Sequence, residues 1–206
     1  MLSDRKQRYQ DVMANQVMDV VIDMLRAEGY DAVQLREVAR RAQVGLGTIY
    51  KMFSSREALI VSAMSKWMAA NAFAASDPPQ PDESLQDVIL RQLRQVFEPW
   101  QREPRMLHAF HRARFGPAGE HLNRQGSDAV VPVIEPTLAD YDPDYAEDLR
   151  LILTNLVFGV LSRVAHGELD ADDMLPILER AVARLTDSSR SRTGADRKQP
   201  PERERP

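Results

Sequence analysis

The sequence contains no cysteine, and this absence removes several chemistries at once. Disulfides, thiolate catalysis and cysteine-ligated zinc are excluded, and the lack of cysteine is typical of a protein from a reducing, cytoplasmic compartment. No run of about eighteen apolar residues occurs, so we expect no membrane span. The segment MLSDRKQRYQ lacks the apolar core of a secretory signal, so we expect no such signal there.

Common catalytic and nucleotide-binding motifs are also missing. There is no G-x-S-x-G, no P-loop and no G-x-G-x-x-G. His108 and His111 share a helix face, with Glu120 and His121 nearby, but this spacing is not a recognised metal-ligand pattern. We therefore predict no enzyme, no metal site and no cofactor. A helical enzyme that uses Glu/His pairs, and a purely structural protein, are the alternatives.

The net charge of the 206 residues is small, −4, but the charged side chains are unevenly distributed along the chain. Residues 1–56 hold nine basic and seven acidic side chains, net +2, whereas residues 57–186 hold twelve and twenty, net −8. A mildly basic segment ahead of an acidic one can orient a protein on a polyanion, because the acidic face is repelled. The simpler explanation is that the acidic surface keeps the protein in solution.

The stretch QLREVARRAQVGLGTIYKMF, residues 34–53, predicts two short helices joined by a tight turn. Its first half spaces apolar residues at i, i+3, i+4 and i+7, one face of a helix. Gly45 is expected to make the reversal, since glycine adopts positive φ or starts a helix at little cost. The second half directs Ile49, Met52 and Phe53 inward. Two such helices form a helix-turn-helix, whose second helix fits the major groove of DNA.

The same stretch, with Ser54-Ser55-Arg56-Glu57-Ala58-Leu59 after it, resembles the DNA-binding signature of the tetracycline-repressor (TetR) family. Gly45 stands where a serine often caps the second helix of that family, and Met52 where a second aromatic is common. Residues 29–34 and 44–48 are also similar, more weakly, to actinobacterial regulators of sterol and lipid catabolism. That similarity suggests an effector class and nothing more.

The resemblance implies a set of DNA contacts on this face. Small residues at the start of the second helix let its backbone approach the groove, and side chains beyond them reach phosphates or base edges. Residues flanking the motif would bind backbone phosphates. The alternative is an ordinary exposed polar face. The predicted DNA-binding residues are Gln34, Arg36, Gly45, Gly47, Thr48, Tyr50, Lys51 and Arg56.

Helical periodicity extends through the remaining chain, so we predict an all-α protein. Residues 1–53 form the predicted three-helix head, with a mobile start up to Arg8. Residues 54–186 form a ligand-binding and dimerisation domain, and residues 187–206 a disordered tail. Pro99 is expected to stop a helix, and two prolines within residues 127–140 are expected to interrupt or kink another.

Residues 143–166 predict a helix that is apolar almost all round, which a partner chain would cover. We expect this helix and the last one to form a four-helix bundle in a homodimer, with Val157 and Leu161 in the interface. The resemblance further implies a repressor that binds a palindromic operator and is released by a small hydrophobic effector. A lipid, sterol or acyl thioester is favoured over an aromatic drug-like molecule. The alternative is a helical ligand-binding protein or enzyme without DNA binding.

Aromatic residues make up 6% of the chain, and those in its middle are the candidates for an effector pocket. Each of them alone is also compatible with plain core packing. Asn155 joins them because a polar side chain in an apolar helix needs a partner. The predicted ligand-binding residues are Trp67, Phe97, Trp100, Met106, Phe110, Phe115, Asn155 and Phe158.

Overall fold

The computed structural model describes residues 2–73, 78–80 and 82–187, and side chains from residue 8 onward. The described residues contain α-helices joined by turns and short 3-10 segments, which confirms the all-α prediction. The helices are α1 (Leu2–Ala27), α2 (Leu35–Arg41), α3 (Leu46–Met52), α4 (Arg56–Asn71), α5 (Leu85–Arg102), α6 (Pro104–Arg114), α7 (Glu120–Leu138), α8 (Pro143–Ala165) and α9 (Met174–Asp187).

Helices α1 to α3 form the head, which we define as residues 2–53. Helix α1 packs against α2, α3 and α4, and its apolar face is closed, with Val17, Val21 and Leu25 fully buried. Gly29 ends α1 at φ 87°, a conformation that glycine adopts without steric cost. The 3-10 turn Tyr30–Ala32 then leads into α2.

In the turn between α2 and α3, Gly45 takes one of its two expected roles, the start of a helix. Gly45 has φ −69° and ψ 142°, so it starts α3 from an extended conformation and does not make the reversal. Gln43 makes it instead, at φ 55°. A non-glycine residue in this left-handed region carries a modest steric cost, which the helices on either side of the turn impose.

Helix α4 joins the head to the body, the described part of residues 54–187. Ser55 caps its first turn, since its Oγ accepts a hydrogen bond from the backbone N–H of Ala58 at 3.0 Å. The helix packs on α1 on one side and on α6 and α7 on the other. In the body, α5 lies against α9 and α7, while α8 packs on α6 and α9.

Three sequence expectations about the extent of helices differ from the structure. Helix α5 continues past Pro99 to Arg102, and α7 continues through Pro132 and Pro136. Both α7 prolines are exposed, so water can bond the carbonyl groups that their missing N–H groups leave unpaired. The backbone from Leu2 to Arg8 is helical, where we expected a mobile start. The predicted disordered tail lies, apart from Asp187, outside the described residues.

Candidate DNA-reading head and ligand cavity

Helix α3 presents an open face to solvent. Gly45, Gly47 and Lys51 are exposed, and the Tyr50 side chain is 56% exposed. A Cβ atom at Gly47 would meet no atom within 4 Å, so the surface above it is free. Ile49 points the other way and is fully buried. The helix is therefore anchored by its inner side while its outer side is accessible to a groove.

The other predicted DNA contacts differ in how exposed they are to solvent. Gln34 and Arg36 are exposed at the start of α2, and Thr48 is half-buried. Arg36 and Lys51 form no ion pair with any side chain that the structure describes. Both cations are therefore available to phosphates.

Two further arginines of α2 are held by carboxylates. The guanidinium of Arg40 lies 2.6 Å from Glu37, and that of Arg41 lies 2.6 Å from Glu37 and 2.5 Å from Glu28. Hydrogen bonds from Arg40 and Arg41 lower the pKa of Glu37 to about 2. These contacts tie α2 to the end of α1 and leave less positive charge free than the sequence count suggests.

Arg56, which is predicted to contact phosphate, is also engaged within the protein. Its guanidinium donates to the carbonyl oxygens of Val33 at 2.5 Å and Tyr30 at 2.6 Å. It also lies 4.8 Å from the centre of the Tyr30 ring. The guanidinium of Arg112 lies 4.3 Å from the centre of the same ring. The half-buried Arg56 thus fastens α4 to the turn before α2, and its geometry assigns it a structural task.

The body encloses a cavity of about 270 Å³ between α5, α6, α7 and α8, with the end of α4 closing one side. Its wall is mainly apolar, as small-molecule sites usually are. The exposed members of the wall lie on α7 and α8, so the cavity opens between these helices. Glu135 and Arg150 face each other across this opening at 2.9 Å.

Four of the eight predicted ligand residues line this cavity: Phe97, Trp100, Phe110 and Phe158. The other four do not. Trp67 and Met106 are buried behind the wall, and Phe115 is 71% exposed on the surface. Asn155 is exposed on α8, where its Nδ2 donates to the carbonyl of Leu151, so its polar group is satisfied within its own helix.

Sequence reasoning missed the contribution of α7 to the wall. Because its prolines suggested an interrupted segment, the regular spacing of its lining residues was not recognised. Those residues recur at the spacing of a helix face, which was the available signal. They are Leu122, Asn123, Gly126, Ser127, Val130, Val131, Ile134, Glu135 and Leu138.

Side chains connect the cavity wall to the head. Trp100 lies 4.4 Å, between ring centres, from Trp67 on α4 and 5.1 Å from Phe110 on α6. On the outer side of α6, Arg112 pairs with Asp31 of the head at 2.7 Å. At the start of α6, Arg105 donates to the carbonyl of Ala27.

A second ion pair strengthens the same junction. Arg26 at the end of α1 pairs with Glu103 at 2.6 Å, immediately before α6 begins. Helix α6 therefore carries cavity wall on one face and head contacts on the other. Among the described residues, none of the helices has the length and apolar character needed to cross a membrane.

The fold and these two features define a class: a helix-turn-helix protein whose second domain encloses a small-molecule-sized cavity. A family profile described as "Bacterial regulatory proteins, tetR family" matches residues 18–63. A second, "Tetracyclin repressor-like, C-terminal domain", matches residues 82–185, half of the chain. The chain belongs to the tetracycline-repressor family, as the sequence resemblance indicated.

Relatives and a solved structure agree with this placement. The chain is 34% identical over 99 residues to the HTH-type transcriptional repressor KstR of Rhodococcus jostii, covering 47% of this chain and 45% of that protein. KstR of Mycolicibacterium smegmatis is 42% identical over 50 residues, 24% of each chain. The chain thus spans less than half the length of these curated relatives. A TetR transcriptional regulator from Rhodococcus sp. RHA1 superposes with a TM-score of 0.65 at 23% identity, covering 89% of this chain and 98% of that one, which shows the shared fold.

Proposed function

We propose that this protein is a ligand-responsive transcriptional repressor that binds a palindromic operator as a homodimer and releases it when a small hydrophobic effector enters the body. The single observation that carries the proposal is the pairing of an open recognition face on α3 with an apolar cavity in the attached domain. The family and the repressor names of the relatives support the same function.

On DNA, α3 enters the major groove with its exposed face forward. The missing side chain at Gly47 allows close approach of the backbone, while Tyr50 and Lys51 reach bases or phosphates. Arg36 and Gln34 contact the phosphate backbone from the start of α2. Phosphate contacts of this kind fix the register, and sequence is selected by groove contacts and by DNA shape.

Dimerisation supplies the second head. Val157 and Leu161, the predicted interface residues, line the cavity and so do not lie on the exposed side of α8. That side instead carries Leu151, 62% exposed, and Ile152, 45% exposed. These two exposed apolar side chains are adjacent on α8, which favours coverage by a second copy of α8 and α9.

Effector binding is transmitted through α6 and α4. A molecule that enters between α7 and α8 presses on Trp100 and Phe110, and the Trp100 ring contacts Trp67 on α4. A shift of α6 also strains the contacts of Arg105 and Arg112 with the head. Two heads must stand about 34–36 Å apart to read successive major grooves, so a small rotation is enough to release DNA.

The effector is apolar in its greater part, because the wall is. A lipid, sterol or acyl thioester is favoured, and an aromatic drug-like molecule is the second candidate. The alternative function, a helical ligand-binding protein or enzyme without DNA binding, shares the cavity but makes no use of the open face of α3. We also expect a cytoplasmic location, where both operator and effector would be met.

The test is a selection of genomic fragments with the purified full chain at two salt concentrations. Enrichment of one palindrome, weakened at higher salt, is the expected result, because phosphate contacts release counterions on binding. The experiment is repeated after extraction of any bound lipid with organic solvent and refolding. Absence of enrichment in both preparations would contradict the repressor function and favour the alternative without DNA binding.

A further inference from the structure

Asn123 on α7 is an anomaly in the cavity wall. The residue lines the cavity, and its Oδ1 atom is buried without a hydrogen-bond partner. Its amide forms no hydrogen bond with any residue that the structure describes. Buried amide groups are ordinarily bonded, because an unmade bond costs the desolvation of the group. An unbonded amide in the wall of a cavity is therefore best explained by a partner that enters the cavity.

The rest of the wall limits what that partner is. The described charged side chains in the lining are Glu135 and Arg150, and they neutralise each other at the opening. Gln92 on α5, only 1% exposed, adds a second amide to the lining. The interior thus offers neutral hydrogen-bonding groups within an apolar surface and no net charge.

We propose that Asn123 binds a neutral polar group, a hydroxyl or a carbonyl, on an otherwise apolar effector. This inference rests on the proposed function, in which the cavity receives a small effector. An asparagine amide serves both kinds of group, because rotation about χ2 presents either the carbonyl oxygen or the NH₂. The site therefore distinguishes a hydroxylated or oxidised apolar molecule from the hydrocarbon of the same shape.

The discrimination has a physical origin. A pure hydrocarbon in the cavity leaves the Asn123 Oδ1 atom shut off from water and without a hydrogen bond. A ligand hydroxyl at the same place replaces the hydrogen bond that it gave up in water. Sites that contain such a group reject analogues that cannot bond to it. A charged analogue is disfavoured because Glu135 and Arg150 leave it no free counter-charge.

The experiment compares 2-naphthol with 2-methylnaphthalene, which differ by a hydroxyl in place of a methyl group, by calorimetric titration of the full chain. The Asn123→Leu variant is expected to bind 2-naphthol roughly tenfold more weakly, while binding 2-methylnaphthalene equally or more tightly. Asn123→Ala serves as a second variant, and circular dichroism checks that both are folded. Val130→Ala, also in the α7 wall, is the control and should weaken both ligands by a similar factor.

Each outcome is informative. If Asn123→Leu and Asn123→Ala change the two affinities by the same factor, the assignment of Asn123 is overturned and the cavity remains a ligand site. If wild-type protein binds 2-naphthoate more tightly than 2-naphthol, the neutral-ligand proposal is overturned in favour of an anion held by Arg150. If none of the three compounds binds, the inference falls together with the effector part of the proposed function, whereas operator binding can still stand.

Discussion

The head and the body use their apolar residues in opposite ways. In the head, Val17, Val21, Leu25 and Ile49 are fully buried, and no residue of α1 to α3 lines the cavity. In the body, helices of similar apolar content enclose about 270 Å³ of empty space. A void forfeits packing contacts and so costs stability. The contrast indicates a head built to hold one shape and a body that a ligand can complete.

The largest expected effect on operator binding comes from a change on the outer face of the head. Gly47→Leu should weaken operator binding roughly 100-fold, the equivalent of about 3 kcal/mol, because the new side chain occupies the approach to the groove. Folding should be unaffected, since a Cβ there meets no atom within 4 Å. Electrophoretic mobility shifts together with thermal unfolding measure the two properties. Normal operator binding by this folded variant would remove α3 from the interface with DNA.

The exposed apolar face of the body provides the second test. Leu151→Glu should shift the protein toward monomer and weaken operator binding, because a charge would be buried between two copies of α8. Ala69→Glu, which introduces the same charge at an exposed position of α4, is the control and should remain dimeric. Sedimentation velocity at micromolar concentration measures the shift. A Leu151→Glu protein that stays dimeric would show that another surface forms the dimer.

Substitution of two leucines tests the difference in packing between the head and the body. Leu25→Ala in the head should lower the free energy of unfolding by about 4 kcal/mol, because the closed core cannot fill the new void. Leu93→Ala, in the cavity wall, should cost only about 2 kcal/mol, since that side chain already borders empty space. Urea unfolding at one fixed protein concentration measures both. Equal losses would contradict the contrast between a filled head and a hollow body.

Two basic residues of the head allow a comparison between a cation that forms no ion pair with a described side chain, Lys51, and a cation paired with a carboxylate, Arg40. Lys51→Ala should weaken operator binding and reduce the slope of log K against log salt by about 1, the loss of one phosphate contact. Arg40→Ala should change the slope less, because Arg40 is bound to Glu37. Fluorescence anisotropy at several salt concentrations gives both slopes. An unchanged slope for Lys51→Ala would exclude it as a phosphate contact.

The smallest effects concern pH, where head and body should differ. Arg40 and Arg41 lower the pKa of Glu37 from 4.5 to about 2, so its stabilising contribution is present above pH 4.5 and is lost as the pH falls toward 2. In the body, burial, with His166 and Arg114 nearby, lowers the pKa of His111 below 6.5. Its contribution is therefore complete above pH 6.5 and declines below it.

Two variants separate these effects. Glu37→Gln should flatten the dependence of unfolding free energy on pH between about 4.5 and 2, and His111→Gln should flatten it just below pH 6.5. Urea unfolding across this pH range measures both. A wild-type curve with no slope just below pH 6.5 would contradict the shift assigned to His111.

The local sequence pattern was sufficient to predict helices whose apolar residues share one face. The helical spacing of the apolar residues within 34–53 predicted the two helices of the helix-turn-helix, which the structure contains as α2 and α3. Propensity alone failed at prolines. Pro99 and the prolines of α7 suggested breaks, but α5 and α7 both continue past these prolines and pack against neighbouring helices.

The division of labour between sequence and tertiary structure follows from the range of the interactions. The sequence by itself determined the all-helical class, the family and the outward face of α3, because these depend on residues within a few turns of one another. Only the tertiary structure decided that Arg56 holds the Tyr30 turn, that Trp67 and Met106 lie behind the cavity wall, and that Asn123 lies in it. Those placements depend on how helices that are far apart in the chain pack on each other. Helical periodicity indicates which residues share a face of one helix, but it does not specify this packing.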